Sequence, residues 1–535
     1  MICSITVREK ERIDSIFSRW SRPGSPGMAL AVIRDGEIVY EQGYGLANLE
    51  YDIPVTASTV FHVASVSKQF TALAIHLLAH AGQLSLDDDI RTYLPEVPEF
   101  GHKITVRHLL HHTSGLRDQW ELLVMAGWRM DDVITLDQIM KLVRRQQELN
   151  FAPGDEYLYS NTGFTLLAEI VARVSGQSFR QFTHERIFQP LQMASTHFHD
   201  DHQEIVKNRA YSYSPDYRRR RGYRNSVLSY ANVGATSLFT TAHDLARYLL
   251  NFDKGVVGGR EVLEAMQQPY TLNNGVQVEY ASGLRCSQYR GLSVVGHSGS
   301  DAGYRTWCGR FPEQRLGIVV LANVSTALPQ ALAMQVAEVF LGDQMQAPEQ
   351  PTEQQATAGD PSELAGKYRL TFTGEEASVS VEGDRLHLTI EGEPPLALDK
   401  VAVDKYQSQD RKATVEFRRE DERVVGCRVT LQDLVLPANR LPEQPAVSVL
   451  AGYVGDYYSP ELDVTYRVRL KDGGLVLEQH RHPDTLLYLV EEDQLRGNEW
   501  YLGELRMTRD ADSGQISGFR LSGNRVRNLA FVRRA

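Results

Sequence analysis

Between residues 344 and 360 the chain reads QMQAPEQPTEQQATAGD, rich in Gln, Pro and acidic side chains and nearly free of large apolar ones. Such a stretch has no apolar surface with which to build a core, so it reads as a linker, and whatever folds must fold on either side of it. A chain of 535 residues is too long for a single core in any case. Before the linker, residues 28–33 and 37–42 read as a hairpin around Arg34-Asp35-Gly36. A helical block follows, whose clearest member starts at Ser65 and carries the stripe Phe70, Leu73, Leu77 and Leu78. Strand character returns at 292–295, 304–311 and 316–323, and residues 329–341 read as a closing helix. Early strands, a helical insert and late strands imply one sheet assembled from both ends of a domain.

After the linker come short alternating strands broken by Gly, Asp and Glu turns, the pattern of antiparallel β structure. This half repeats itself. Leu364-Ala365-Gly366-Lys367-Tyr368 returns as Leu450-Ala451-Gly452-Tyr453, and Val425-Gly426-Cys427-Arg428-Val429 as Ser517-Gly518-Phe519-Arg520-Leu521. Two copies are too few for a solenoid, whose units share a core among three or more. Two small barrels, each closing its own edges, fit better. The expected divisions are a first domain over 1–343, the linker over 344–360, and barrels over 361–440 and 446–535.

Chemistry concentrates in the first domain. Ser65-Val66-Ser67-Lys68 places a serine and a lysine three apart at a helix start, on one face, where the amine reaches the hydroxyl. Alone, the tetrad equally describes a solvated turn with a snorkelling lysine. Two further motifs follow in order. Tyr159-Ser160-Asn161 comes after the turn-rich Ala152-Pro153-Gly154-Asp155 and before a helix starting near Gly163, and His297-Ser298-Gly299 ends the apolar run 292–295. In this order and spacing the three resemble the serine β-lactamase and penicillin-binding-protein superfamily, and within it the class C group with Tyr-x-Asn in the middle. ITVRHLLHHTSGL (104–116), IFQPLQM (187–193), TTAHDLAR (240–247) and GHSGSDAGY (296–304) match recurrent blocks of the same group. The resemblance runs from the N-terminus to the helix at Leu341. It implies an α+β fold, an antiparallel sheet flanked by helices with a mostly helical second lobe, and an active site at the seam. The third motif departs from the Lys-Thr-Gly of β-lactamases, which counts against β-lactam hydrolysis; His there is typical of the group's peptidases and esterases.

With paired barrels behind it, the chain is most similar to the three-domain D-aminopeptidases, in which a loop of the last barrel enters the catalytic cleft. The candidate loop here is QHRHPD (479–484), a polar interruption between apolar strands, for which a plain hairpin turn is the competing reading. By resemblance, Ser65 attacks the carbonyl and forms an acyl-enzyme. Lys68 and Tyr159 share the base role: both have unperturbed pKa values of about 10, so either a neutral Lys68 or a Tyr159 phenolate held by a charged Lys68 serves. Asn161 hydrogen-bonds Lys68 or the substrate amide, and backbone N–H groups of Ser65 and Ser300, with Gly299 beside them, form the oxyanion hole. His297 is expected to hydrogen-bond Tyr159 and to titrate near neutrality. Asp484 is the candidate partner for a substrate's free amine. The expected activity is release of N-terminal D-amino acids from small peptides, amides or esters. The alternatives are a broad-range carboxylesterase or amidase, or weak β-lactamase, and a non-catalytic protein that binds a peptide or β-lactam; the intact Ser65, Lys68 and Tyr159 speak against the last.

The net charge of −11 argues against a general nucleic-acid binder. One basic patch, Arg218 to Arg221 with Arg224, reads as a solvated loop balanced by nearby acids. Cys3, Cys286, Cys308 and Cys427 are scattered and suggest neither a zinc site nor a disulfide framework. His108, His111 and His112 have the i, i+3, i+4 spacing of helical metal ligands but lack evident carboxylate partners, and Asp87, Asp88 and Asp89 read as a solvated turn. No metal or cofactor is expected. The first ten residues lack an apolar segment of signal-peptide length, and no run reaches the ~18 residues of a membrane span. The expectation is a soluble cytoplasmic enzyme with no membrane or nucleic-acid partner, whose barrels could also mediate a homo-oligomer.

Overall fold

The computed structural model describes residues 5–347, 360–382, 385–391, 393–409, 413–431 and 434–534. Two compact units result: Met1–Ser214 with Arg224–Ala347 and Arg525–Arg527, and Pro215–Tyr223 with Pro348–Asn524 and Asn528–Ala535. Most of the expected linker, and Cys3, lie outside the described residues.

In the first unit six antiparallel strands form a sheet in the order Arg285–Tyr289, Leu292–Asp301, Tyr304–Phe311, Leu316–Ala322, Met28–Arg34, Glu37–Tyr44. Its early and late strands join where Leu30 faces Val320. The hairpin at the N-terminal end turns through Asp35 (φ 51°) and Gly36 (φ 84°), two left-handed residues whose twist matches the flanking strands. Met28 to Ile33 are buried in succession. The reason is that both faces of this strand are covered. Helices Val7–Phe17 and Pro329–Leu341 bring Ile13, Phe17, Val336 and Ala337 against Met28, Leu30 and Val32. Helix Ala242–Lys254 packs on the same strand and on Leu316–Ala322. The first helix is set by a capping box, in which Glu9 N–H donates to Thr6 Oγ1 (3.2 Å) and Thr6 N–H to Glu9 Oε2 (2.6 Å).

The helical lobe is built around Ser67–His80. The apolar stripe suggested an amphipathic helix, yet every residue from Ser67 to His76 is buried. Helices Asn161–Ser175, Phe179–Thr183 and Gly259–Ala265 all pack on it, so water reaches it only from Leu77 onward. Phe70, in ring contact with Tyr248 at 4.3 Å and Phe188 at 5.6 Å, is one of its anchors. Its burial contributes about 2 kcal/mol.

The second unit contains two closed antiparallel barrels of eight strands, from Gly366–Leu370 to Leu434–Arg440 and from Gly455–Ser459 to Leu529–Arg533. The barrels repeat their contacts, but the first sequence repeat is three residues out of register: Leu364 corresponds to Tyr453 rather than to Leu450, and Tyr368 to Tyr457. Tyr368 donates its hydroxyl to Leu364 O (2.7 Å) and Tyr457 to Tyr453 O (2.8 Å). Gly426 and Gly518 occupy matching strands for the same reason. A Cβ would stand 2.4 Å from Ala438 O in the first barrel and 2.2 Å from Phe531 O in the second. The segment Pro215–Tyr223 belongs with this unit, although it lies inside the first expected domain. Tyr217 stacks on Phe372 at 4.6 Å, and Arg220 pairs with Glu375 (3.3 Å) and Glu393 (2.9 Å). Arg219 lies 3.6 Å from Asp216. Cys286, Cys308 and Cys427 are free thiols, and among the described residues no helix is long and apolar enough to cross a membrane.

Candidate active site

Ser65 sits in a 3-10 turn, Ala64–Val66, immediately before the helix Ser67–His80. Ala64 takes φ 49°, a left-handed conformation costly for a residue with a Cβ. Neighbours hold the turn in place: Ala64 N–H donates to His62 Nδ1 (3.2 Å) and Ser67 Oγ donates to Ala64 O (2.6 Å). The turn packs against the strand Leu292–Asp301, and Gly299 permits that approach. A Cβ on Gly299 would stand 2.2 Å from Thr306 Oγ1 and 2.3 Å from Val63 O.

Lys68 is fully buried. Its Nζ donates to Ser65 Oγ (3.1 Å), Asn161 Oδ1 (2.8 Å) and Ala235 O (2.7 Å), which uses all the protons of an ammonium. Burial brings its pKa down to about 7, against the opposing pull of Asp301 and Asp118. Burial acts in the other sense on Tyr159, whose pKa it pushes far up. The Tyr159 hydroxyl senses Ser65 but completes no hydrogen bond with it. Its ring lies 4.9 Å from Lys68 Nζ and packs on His112 at 4.1 Å. The His112 Nδ1 accepts from Ser160 N–H (3.1 Å), fixing the Tyr-Ser-Asn turn from behind. Asn161 is the first residue of the helix Asn161–Ser175. Both its backbone N–H and its Nδ2 donate to Asp118 Oδ2, each at 2.7 Å. Asp118 is itself buried and caps the helix Gln119–Met125 through Trp120 N–H (3.0 Å).

His297 departs from expectation. Its Nε2 lies 2.9 Å from the Tyr280 hydroxyl, and its Nδ1 faces Ser298 O at 2.5 Å. The carbonyl requires a proton on Nδ1, so Nε2 accepts from Tyr280. Tyr159 is only a ring neighbour, with centroids 6.1 Å apart. Burial first, then the Lys68 charge, pushes the His297 pKa down to about 3. It is therefore neutral at physiological pH rather than titrating near it. Ser300 lies farther along the same strand, where the neighbour Arg285–Tyr289 has already ended opposite Gly296. From His297 to Asp301 only Tyr304–Phe311 pairs with it among the described residues, so one strand edge is open. Backbone N–H groups on that edge have no strand partner, which is what an oxyanion hole requires.

Asp484 falls in the other compact unit, where Lys471 Nζ holds it at 2.6 Å. One C-terminal segment, Arg525–Arg527, belongs to the catalytic unit. Backbone hydrogen bonds explain why. Arg525 N–H donates to Glu121 Oε2 (2.6 Å), Asp118 N–H to Arg525 O (3.3 Å), and Arg527 N–H to Asn150 Oδ1 (2.8 Å). Buried Arg117 donates to Arg527 O (2.9 Å). These bonds place the Arg525 guanidinium 5.0 Å over the Tyr159 ring and 3.9 Å from Asp118, with 41% of its side chain exposed.

Asp118, Tyr280, Ala235 and Arg525 were not foreseen. Asp118 gave one signal, a capping residue type two positions after the matched block ITVRHLLHHTSGL. Ala235 acts through its carbonyl, which no side-chain pattern reveals, and Arg525 lies hundreds of residues from its partners. The tempting clusters resolve into local structure. His108 Nδ1 accepts from Thr105 N–H (3.1 Å), His111 Nδ1 faces Tyr280 O (3.4 Å), Asp87 pairs with Arg107 (2.8 Å), and Asp89 caps a turn through Arg91 N–H (2.9 Å).

One family, described as Beta-lactamase, matches the chain over residues 13–340. The chain belongs to the β-lactamase family. It is 30% identical over 427 residues to penicillin-binding protein 4* of Bacillus subtilis, covering 76% of this chain and 94% of that one. It is 29% identical over 451 residues to a D-aminopeptidase of Brucella canis, covering 84% and 82%. Among solved structures, the octameric penicillin-binding protein homologue of Pyrococcus abyssi superposes with a TM-score of 0.56 at 26% identity, covering 81% of this chain and 99% of that one. The family is that of β-lactamase-fold serine hydrolases, and the D-aminopeptidase relatives carry the kind of reaction.

Proposed function

We propose that the protein is an aminopeptidase releasing N-terminal D-residues from small peptides, amides or esters through an acyl-enzyme on Ser65. The observation that carries this reading is Lys68, a buried amine 3.1 Å from Ser65 Oγ with a pKa of about 7. Half its population is neutral at that pH, and the neutral amine accepts the Ser65 proton as Oγ bonds to the carbonyl carbon. Burial disfavours a Tyr159 phenolate, so Lys68 is the acylation base and Tyr159 relays the proton to the leaving amine as the C–N bond breaks. Water then attacks the ester, its proton returning by the same route. The open strand edge at Ser300 and the N–H of Ser65 stabilise the oxyanion. Neutral His297 holds Tyr280 and with it the wall behind Tyr159.

For the substrate's ammonium we assign Asp301 in place of Asp484, whose carboxylate already has a cation. Asp301 ends the strand that carries Ser300, accepts a hydrogen bond from Thr236, and has its pKa raised to about 6 by burial. A carboxylate so desolvated gains from an incoming cation. Support for the D-residue comes from the 29% identity to a D-aminopeptidase across both halves of the chain.

A second reading follows from Arg525. A half-exposed guanidinium over Tyr159 suits a substrate carboxylate beside the scissile bond, as in a weak β-lactamase or a β-lactam-binding protein. Hydrolysis of D-alanine and L-alanine p-nitroanilides, with N-acetyl-D-alanine p-nitroanilide and Ser65→Ala protein as controls, separates the two. Cleavage of the free D-substrate alone supports the aminopeptidase. Turnover or stable acylation by a β-lactam, with no anilide cleaved, supports the second. By analogy with the octameric relative, assembly of several copies belongs to the same proposal, and light scattering measures it.

A further inference from the structure

Away from the Ser65 centre, two histidines and a glutamate converge in the first unit. His197 opens the short strand His197–Phe198, and His199 follows it. Alternate residues of an extended segment point the same way. Phe198 turns into the core against Phe179 (4.6 Å), while both imidazoles lie on the Phe239 side, with centroids 5.8 and 4.8 Å from that ring. A turn then brings back Glu204, whose N–H donates to Asp201 O (3.1 Å). One ligand atom from each of the three residues lies within 4.8 Å of the others. Among the described residues this is the one place where three such groups meet.

The second observation is independent of the first. His197 Nε2 and His199 Nδ1 are buried and have no hydrogen-bond partner among the described residues, and His199 is only 2% exposed. A buried imidazole nitrogen left unpartnered is costly, and two side by side facing a carboxylate call for a ligand that satisfies both.

We propose that His197, His199 and Glu204 bind a zinc-type divalent cation, with water as the fourth ligand. Two neutral imidazoles and one carboxylate are borderline donors that favour zinc-like ions over magnesium or calcium. Arg180, which grips Glu204 at 2.6 and 2.8 Å and Asp200 at 2.9 Å, aims the carboxylate and leaves lone pairs for the ion. Tetrahedral ligands at ~2.0–2.1 Å lie about 3.3 Å apart, so the three side chains draw inward on binding. The ion acts as a clamp rather than a reactant. Its strand pairs with Leu238–Thr240, which pairs in turn with Phe61–His62 just before Ser65. The segment after Glu204 pairs with that same edge, Val60 N–H donating to Asn208 O (3.0 Å) and Ala210 N–H to Val60 O (2.9 Å).

The test uses the full chain, stripped with chelator and dialysed against zinc or cobalt(II) chloride. Expected are about one ion per chain, a rise in Tm, and visible cobalt bands of a tetrahedral nitrogen–oxygen set. Glu204→Gln, and His197→Gln at the less buried position, each weaken binding about tenfold or more. Should His199→Ala fail to fold, these two variants and the wild-type cobalt spectrum still decide. No stoichiometric metal at micromolar zinc, or affinity unchanged in both variants, overturns the proposal.

Discussion

The catalytic unit and the barrel unit handle polar groups in opposite ways. Each barrel is regular: strands alternate inward and outward, tyrosine hydroxyls find carbonyls, and charges sit in surface pairs such as Arg509–Asp493 at 2.6 Å. Around Ser65 the same chain concentrates a left-handed alanine, a fully buried lysine, and buried polar atoms without partners at Tyr159, Gln119 and His112, whereas in the barrels such atoms, as at Arg369 and Ser459, are scattered. Local inconsistency is gathered into one place in the first unit and spread thinly in the second.

The largest effect that would break this contrast is loss of the Ser65–Lys68 pair. Ser65→Ala or Lys68→Ala should lower kcat/KM about a thousandfold or more in the anilide assay, with Tm little changed for Ser65→Ala. Residual activity near wild type would remove the pair from the mechanism. Next comes one substitution made in both units. Gly299→Ala forces the Ser65 turn off its strand and should cost about a hundredfold in kcat. Gly518→Ala meets Phe531 O with the same severity and should instead cost about 1–3 kcal/mol of barrel stability with kcat intact. Matching outcomes in rate or in Tm would erase the distinction.

A subtler probe is pH. Activity should rise with pH through about 7 as Lys68 loses its proton. Arg525 lowers the Lys68 pKa, so in Arg525→Gln the acid limb should move to higher pH. His297 adds no limb between pH 5 and 9, because its transition lies at about 3. His297→Lys places a cation beside Lys68 and should move the acid limb to lower pH. The smallest expected effect is that of Asp484→Ala, which removes an exposed ion pair with Lys471 and should leave amine selectivity and Tm as they were. Loss of selectivity there would restore Asp484 to the site and displace Asp301.

How far the sequence could be read follows the same divide. The sheet closed from both ends, the closing helix and the paired barrels all announced themselves through apolar period and repeated segments. Ser65 and Lys68 came from spacing and Asn161 from the family resemblance, and the structure brings them within hydrogen-bond reach. Burial was not legible: the stripe on Ser67–His80 could not tell that other helices cover its remaining faces, and His297 looked titratable because its enclosure is invisible in one dimension. Tertiary loops were not legible either. Nothing in QHRHPD or in the sequence around Arg525 tells which one joins the catalytic unit, since the choice rests on Glu121, Asn150 and Asp118 far upstream.

That late segment gives the enzyme a clock. Arg525 bonds to Glu121 across 404 positions of chain, so the ribosome must add all of them before the wall over Tyr159 can be laid. At ~5–20 residues per second that is a delay of about 20–80 s. During it the helical lobe exists as a nascent fold without its final guanidinium, and Ser65 meets its finished surroundings only after both barrels have largely been made.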